Sequence, residues 1–162
     1  MISSEIADWT REHKAFFAWQ PSRSLLASIR CYQKHQHSTL PWHYVSKKLA
    51  VLRHHFWSIV TGADIPLNSN IAGGLLLPHP NGIVIHPGAT IGPNCLIFQQ
   101  VTIGSREDSL PPVIAGHVDI GAGAKILGEI TIGAHSKVGA NAVVLIDVPA
   151  GKVAVGIPAE II

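Results

Sequence analysis

Residues 114–144, IAGHVDIGAGAKILGEITIGAHSKVGANAVV, place an aliphatic side chain at every sixth position: Ile114, Ile120, Ile126, Ile132, Val138 and Val144. Neither an α-helix nor a hairpin strand repeats with period six, since their side-chain periods are 3.6 and 2. A solenoid of triangular coils does, because each short side sends one aliphatic inward before the chain turns a corner. Moving towards the N-terminus, Ile85, Ile91, Ile97 and Ile103 form a second series of sixes. Ile65, Ile71, Leu77 and Ile83 form a third, offset by two from the second. Glycine often follows the aliphatic, at Gly92, Gly104, Gly121, Gly133 and Gly139, and Ala122, Ala134 and Ala140 come next. Small residues suit corners where the backbone turns tightly or approaches a neighbour closely. Three sixes make a coil of about eighteen residues, so Ile65 to Val148 supplies about five coils. The run SREDSLPP, residues 105–112, fits no hexapeptide and is expected to loop out of the coil, where loops tend to carry function.

Before Gly62 the pattern is different. Val45, Leu49, Leu52, Phe56 and Ile59 fall on one stripe of a 3.6-residue period and predict an amphipathic helix, with Thr39 as its cap and Pro41 in its first turn. Two earlier helices are expected, one on Ile6, Trp9 and Phe16 and one on Leu25, Leu26, Ile29 and Tyr32. They are broken at Pro21 and along the polar run 33–38. The expected organisation is an α-helical region over residues 1–60 and a β-helix over residues 61–162, in a mainly β protein.

Composition removes several classes of function. The 162 residues carry a net charge of +2, with Lys and Arg scattered and no basic stripe of the kind that tracks a phosphate backbone, so nucleic acid is not an expected partner. Cys31 and Cys95 lie far apart in unlike segments and form no disulfide framework or CxxC knuckle, which points to a reducing, cytoplasmic setting. No apolar run reaches the ~18 residues of a membrane span, and the N-terminus lacks the apolar core of a signal peptide.

Three stretches carry a resemblance: LPHPNGIVIHPGATIGPNCLIFQQVTIG from Leu77, GAGAKILGEITIGAHSKVGANAVV from Gly121, and the closing GIPAEII. Together they make residues 64–162 similar to the serine acetyltransferase branch of the left-handed β-helix acyltransferases. The resemblance implies the left hand of the coil, a homotrimer with active sites between subunits, and acetyl-CoA as co-substrate, with no metal expected. It implies that His79 is the base that takes the acceptor's proton and that Asp64, fifteen residues earlier, orients it. Fifteen residues is a little under one coil, so the two side chains can meet across neighbouring rungs. An alkyl hydroxyl is a poor nucleophile until a neutral imidazole accepts its proton, and a carboxylate on the far ring nitrogen fixes the tautomer. For the coenzyme the resemblance implies Gly104, Ala122 and Ala140, small enough for pantetheine to lie along the backbone, and Lys137 as a phosphate or adenine contact. Cys95 occupies a repeat position that is not the family's nucleophile, which implies direct transfer in a ternary complex.

The chain departs from the family where the amino acid's charged groups are held. Pro78 stands where the family has an aspartate just before the catalytic histidine, and Leu110 and Pro111 stand where it has an Arg-His pair. A substrate carboxylate left without its cation is strongly disfavoured. The expected acceptor is therefore a hydroxyl of a small molecule or sugar, with Asn81, Gln99, Gln100 and Arg106 as candidate contacts, and genuine serine O-acetyl transfer is the alternative. Two readings come from other classes: a β-helix zinc carbonic anhydrase, which needs three converging histidines that His79, His86 and His117 do not supply by spacing, and a non-catalytic assembly subunit.

Overall fold

A computed structural model describes every residue except Met1, Phe16, Phe17, His37 and Thr39. From Asp64 onward the chain is a left-handed parallel β-helix built of strands mostly two or three residues long. Three sheets form its sides. One stacks Asn70–Ile71, Thr90–Ile91, Val113–Ile114 and Thr131–Ile132, and another stacks Val84–Ile85, Thr102–Gly104, Lys125–Leu127 and Val143–Val144. The third stacks Leu96–Ile97, Asp119–Ile120, Lys137–Val138 and Val153–Gly156, and is closed by an antiparallel return strand, Ala159–Ile161. Each outward residue sits over its counterpart one coil on: Val84 over Thr102, Thr102 over Lys125, and Lys125 over Val143.

Those registers locate the departures from an eighteen-residue coil. The step from Val84 to Thr102 is regular, whereas the step from Thr102 to Lys125 carries five extra residues, the extruded loop 105–112. The step from Asp64 to Val84 carries two extra residues, in the corner that holds His79. This is the physical origin of the two-residue offset between the aliphatic series.

The interior has one more position per side than the period-six reading assigns. Ile91, Ile97, Ile103, Ile120 and Ile126 are fully buried, and so are Ala89, Cys95, Val101, Val118 and Ala124, each two residues earlier on the same inward face. Two inward side chains per side therefore fill the triangle, and burying each isoleucine contributes about 1.5–3 kcal/mol.

Of the three elements expected in the helical region, one forms as expected and two differ. First, the segment with Ile6 and Trp9 is an extended strap with a single 3-10 turn, Trp9–Glu12, capped by the Asp8 carboxylate, which accepts from Thr10 N at 3.0 Å; Phe16 lies outside the described residues. The strap follows the edge of the β-helix because Asn94 holds it there: Asn94 Oδ1 accepts from Asp8 N, and its Nδ2 donates to the carbonyls of Ser3 and Ile6, all at 2.8 Å. Gly116 permits the approach, since a Cβ there would stand 1.9 Å from Ser4 O.

Second, α1 (Pro21–His35) is the expected middle helix, and its Leu25, Leu26 and Ile29 join the same core as the β-helix interior, closing its open first coil. Third, α2 (Pro41–Thr61) turns its expected core stripe outward. Val45, Leu49, Leu52, Phe56 and Ile59 are exposed, and Ala50 and His54 are buried instead, because the opposite face of α2 packs on α1 and on the first coil. Leu40 is the N-cap residue and gives no side-chain cap; Thr39, expected there, lies outside the described residues. Gly62, at φ 65°, ends α2 by donating its N–H to Ser58 O.

A largely buried ion pair ties strap, α1 and first coil together. Arg30 donates from Nε and Nη2 to the two oxygens of Glu12 at 3.0 and 2.8 Å, and also to the carbonyls of Ile71 and Ala72 at 2.6 and 2.7 Å. Glu12 Oε1 accepts Leu75 N at 3.0 Å. Removing one partner strands the other charge, so Arg30→Ala is expected to lower the free energy of unfolding in urea by about 3–5 kcal/mol. A loss under about 1 kcal/mol would place the pair among surface ion pairs. Ile120→Ala is expected to lose about 2–5 kcal/mol by the same measurement, through the cavity it leaves between rungs.

Candidate active site

The corners of successive coils stack into three edges running along the β-helix. The first edge comprises residues 72–74, 92–94, 115–117 and 133–135; the second, 78–82, 98–100, 121–123 and 139–141; the third, 86–88, 105–112, 128–129 and 145–147. Along the second edge, Gln100 N donates to Asn81 O at 2.9 Å, Gly123 N to Gln99 O at 2.9 Å, and Asn141 N to Ala122 O at 2.8 Å.

This second edge gathers six of the ten candidate site residues: His79, Asn81, Gln99, Gln100, Ala122 and Ala140. His79 stands exposed in the enlarged corner, in a cleft of about 350 Å³ lined by Pro21, Ser22, Val60, Thr61, Pro78 and Asn81. The helix residues in that lining were invisible to local sequence reading, because only tertiary packing brings the end of α2 and the start of α1 to the corner. Asp64 begins the coil that passes beneath: its N–H donates to Ile83 O at 2.8 Å, and its carbonyl accepts Ile85 N at 3.0 Å. Asp64 and His79 are both exposed and make no hydrogen bond to each other.

Below His79 the edge is polar. Asn81 Oδ1 accepts Gln100 Nε2 at 2.9 Å, and Lys125 Nζ donates to Gln100 O at 2.7 Å. Lys125 is a member of this ladder that sequence reading missed, since it sits in an ordinary outward repeat position. Gln99 Oε1 is buried and has no partner, an acceptor whose desolvation is uncompensated.

The remaining candidates lie elsewhere on the chain. Gly104 and Arg106 are at the third edge, with Arg106 beside a second cleft, of about 260 Å³, lined also by Ser109, Leu127, Gly128 and Glu129. Lys137 is on the face between the first and second edges, 3.9 Å from the Asp119 carboxylate. A single chain therefore brings neither Arg106 nor Lys137 to His79. The histidines are dispersed as well: His79 is on the second edge, His86 on the third, and His117 on the first, where its Nδ1 is 2.7 Å from His135 Nδ1. Among the described residues no three His, Cys, Asp or Glu side chains converge as a metal site.

Two buried titratable groups lie near this framework. Cys95 fills the smaller inward slot of its rung, and burial pushes its thiol up to about 11. His54, on the buried face of α2, lies 3.3 Å from Ser28 Oγ and 3.4 Å from Ser58 Oγ. Its pKa is lowered, chiefly by burial and next by the neighbouring His55, while Asp64 and the backbone of Ile65 oppose the shift.

No family model matches the chain. Individual relatives do. A serine acetyltransferase of Helicobacter pylori is 34% identical over 139 residues, covering 83% of this chain and 79% of its own length. One from Synechococcus elongatus is 35% identical over 150 residues, covering 87% of this chain and 62% of its own. One from Mycobacterium tuberculosis is 38% identical over 124 residues, 75% of this chain and 54% of its own. The chain thus spans somewhat more than half the length of these last two relatives. Among solved structures, a soybean serine acetyltransferase complexed with serine superposes with a TM-score of 0.74 at 36% identity, over 89% of this chain and 58% of that one. A serine acetyltransferase in complex with CoA gives 0.73 at 35% identity over the same shares.

Both buried groups lead to solution measurements. With its thiol at about 11, Cys95 has about one part in a thousand as thiolate near pH 8, so it should resist iodoacetamide in the folded protein and react only on unfolding. Rapid native labelling mapped to Cys95 would contradict the packing. For His54 the folded pKa lies below its ordinary 6.5, so the unfolded chain binds the extra proton first as pH falls. The stability it contributes is complete above 6.5 and is lost as pH drops through the lowered folded value. The melting temperature should decline as the pH falls below 6.5, and His54→Gln should flatten that decline; an unchanged slope would remove His54 as its source.

Proposed function

This chain belongs to the serine acetyltransferase family, and on that footing we propose that it moves an acetyl group from acetyl-CoA to the hydroxyl of L-serine. The observation that carries the reading is His79, held exposed in an enlarged corner of the β-helix, with Asp64 on the adjoining rung. His79 Nε2 takes the hydroxyl proton as the acceptor oxygen attacks the thioester carbonyl. The tetrahedral intermediate collapses with departure of the CoA sulfur, which receives the proton from the imidazolium. Asp64 serves by turning its carboxylate to the far ring nitrogen of His79 when substrates fill the cleft, since catalytic hydrogen bonds often tighten only in the complex.

Asn81, on the His79 corner, and Gln99, on the next corner of the same edge, are the residues proposed for the acceptor, with Gln99 reaching it only if its side chain turns outward. Gly104, Ala122 and Ala140 offer a low backbone surface to pantetheine, and Lys137 offers a charge to a phosphate. These groups lie on different edges of one chain. A homotrimer, in which the second edge of one subunit faces another edge of its neighbour, would assemble them and would also bring Arg106 to the site. L-Serine takes precedence over a sugar because the named relatives are serine acetyltransferases and a soybean one has been solved complexed with serine. Pro78, Leu110 and Pro111 then predict a weaker grip on the amino acid's charges, expressed in KM and not in the chemistry.

Thiol release from acetyl-CoA with L-serine should be detectable, and His79→Ala should lower kcat/KM by about 10²–10⁴. Asp64→Asn should lower kcat with little effect on the KM for acetyl-CoA. Full activity in His79→Ala would sink the assignment of the base. Turnover with nucleotide sugars but not with serine would transfer the reading to the sugar acceptor. CoA at a hundredfold excess over its Kd should raise the unfolding free energy by about 2.7 kcal/mol, and no thermal shift at all would favour a non-catalytic subunit.

A further inference from the structure

Charge in this chain is segregated by sign along the sequence. Between Glu12 and Asp64 there is no Asp or Glu, and there are seven cations: Lys14, Arg23, Arg30, Lys34, Lys47, Lys48 and Arg53. The rest of the chain carries the other five Lys and Arg and all ten carboxylates. The modest total of +2 conceals a strongly basic helical region joined to an acidic β-helix. Asymmetry of this kind points to an anionic surface as a partner.

The outward face of α2 adds an apolar surface to that charge. Trp42, Val45, Leu49, Leu52, Phe56 and Ile59 recur with strict three-four spacing, and each is at least 53% exposed. From Trp42 to Ile59 the stripe is about 26 Å long. Lys48 and Arg53, both exposed, flank it on opposite sides, and Lys48 lies over the Tyr44 ring. An uncovered contiguous face of this size marks an interaction site.

Charge sets a lipid surface apart from a pairing of α2 with α2. A parallel partner copy of α2 would bring Lys48 against Arg53, an antiparallel copy would set each cation beside its own counterpart, and α2 has no carboxylate to answer either. A bilayer rich in anionic phospholipid answers both features, with acyl chains for the apolar stripe and phosphate charge for its basic borders. No described helix is long and apolar enough to cross a membrane, which leaves lying on the surface as the mode available to α2.

We propose that the outward face of α2 docks the protein on an anionic phospholipid surface, with Trp42, Leu49, Leu52 and Phe56 entering the headgroup boundary and Lys48 and Arg53 meeting lipid phosphates. Val60, one residue beyond the stripe, lines the cleft of His79, so docking places that cleft beside the membrane rim. The proposal is independent of the acceptor that His79 serves.

The test is flotation of the full chain with vesicles of phosphatidylcholine alone and of phosphatidylcholine mixed with phosphatidylglycerol. Binding to the anionic vesicles should exceed binding to the neutral ones at least tenfold and should weaken as salt is raised, since each cation near such a surface is worth about fivefold in affinity. Lys48→Glu/Arg53→Glu should cut that binding by more than tenfold, and Leu49→Glu/Leu52→Glu should abolish it, both with unchanged melting temperature and sedimentation mass. Absence of binding to the anionic vesicles, or equal binding by the wild type and both double variants, would overturn the proposal. A fall in sedimentation mass for Leu49→Glu/Leu52→Glu would also overturn it, by assigning the face to a second copy of the chain.

Discussion

Every rung of this β-helix depends on the rung beside it. A strand of two residues buries almost nothing alone; its backbone groups are satisfied by the coils before and after it, and its inward isoleucine rests on the isoleucine one coil away. Ile85, Ile103, Ile126 and Val144 form one such column, and Ile91, Ile114 and Ile132 form another. Extra residues are tolerated only where they can leave the coil without moving these columns. The molecule uses that freedom twice, at the His79 corner and at loop 105–112, and both insertions carry chemically equipped residues.

Such a fold is legible from sequence to the extent that its constraints are local. The hexad columns, the extruded loop and the unusual corner at His79 each arise from side chains within a few residues of one another, so their pattern survives in one dimension. The second inward slot was hidden because residues of mixed type and size fill it, such as Ala89, Cys95 and Val101, and leave no repeating aliphatic signal. Cys95 has the same explanation: it is a volume that fits, and its chemistry is suppressed by the fit.

The helical region was legible as helix and misleading as to face. Periodicity identifies an apolar stripe but not what the stripe meets. On α2 the buried side is made by Ala50, His54 and Trp57, a less hydrophobic selection than the stripe that faces outward. The N-terminal strap was misread for a related reason. Ile6 and Trp9 sit at helical spacing, but the hydrogen-bonding capacity of Asn94, far along the chain, outweighs the local preference. At the candidate site the same division holds. His79, Asn81 and Gln99 share an edge because the repeat dictates it, whereas Val60 and Thr61 reach the His79 cleft only through packing between helix and coil.

The strap at Asn94 bears on how the chain acquires its shape during synthesis. A solenoid whose coils contact only their neighbours can grow outward from whichever coil forms first. Here the strap has a binding partner far downstream, with 91 positions separating Ser3 from Asn94. Until that corner exists the strap has its Glu12 contacts to Arg30 and Leu75 without those to Asn94, and once it does, Asn94 fastens the strap to a coil made much later. Growth by simple addition thus ends in a long-range closure, and the strap, although it precedes the β-helix along the chain, is secured only after the coil that carries Asn94 has formed.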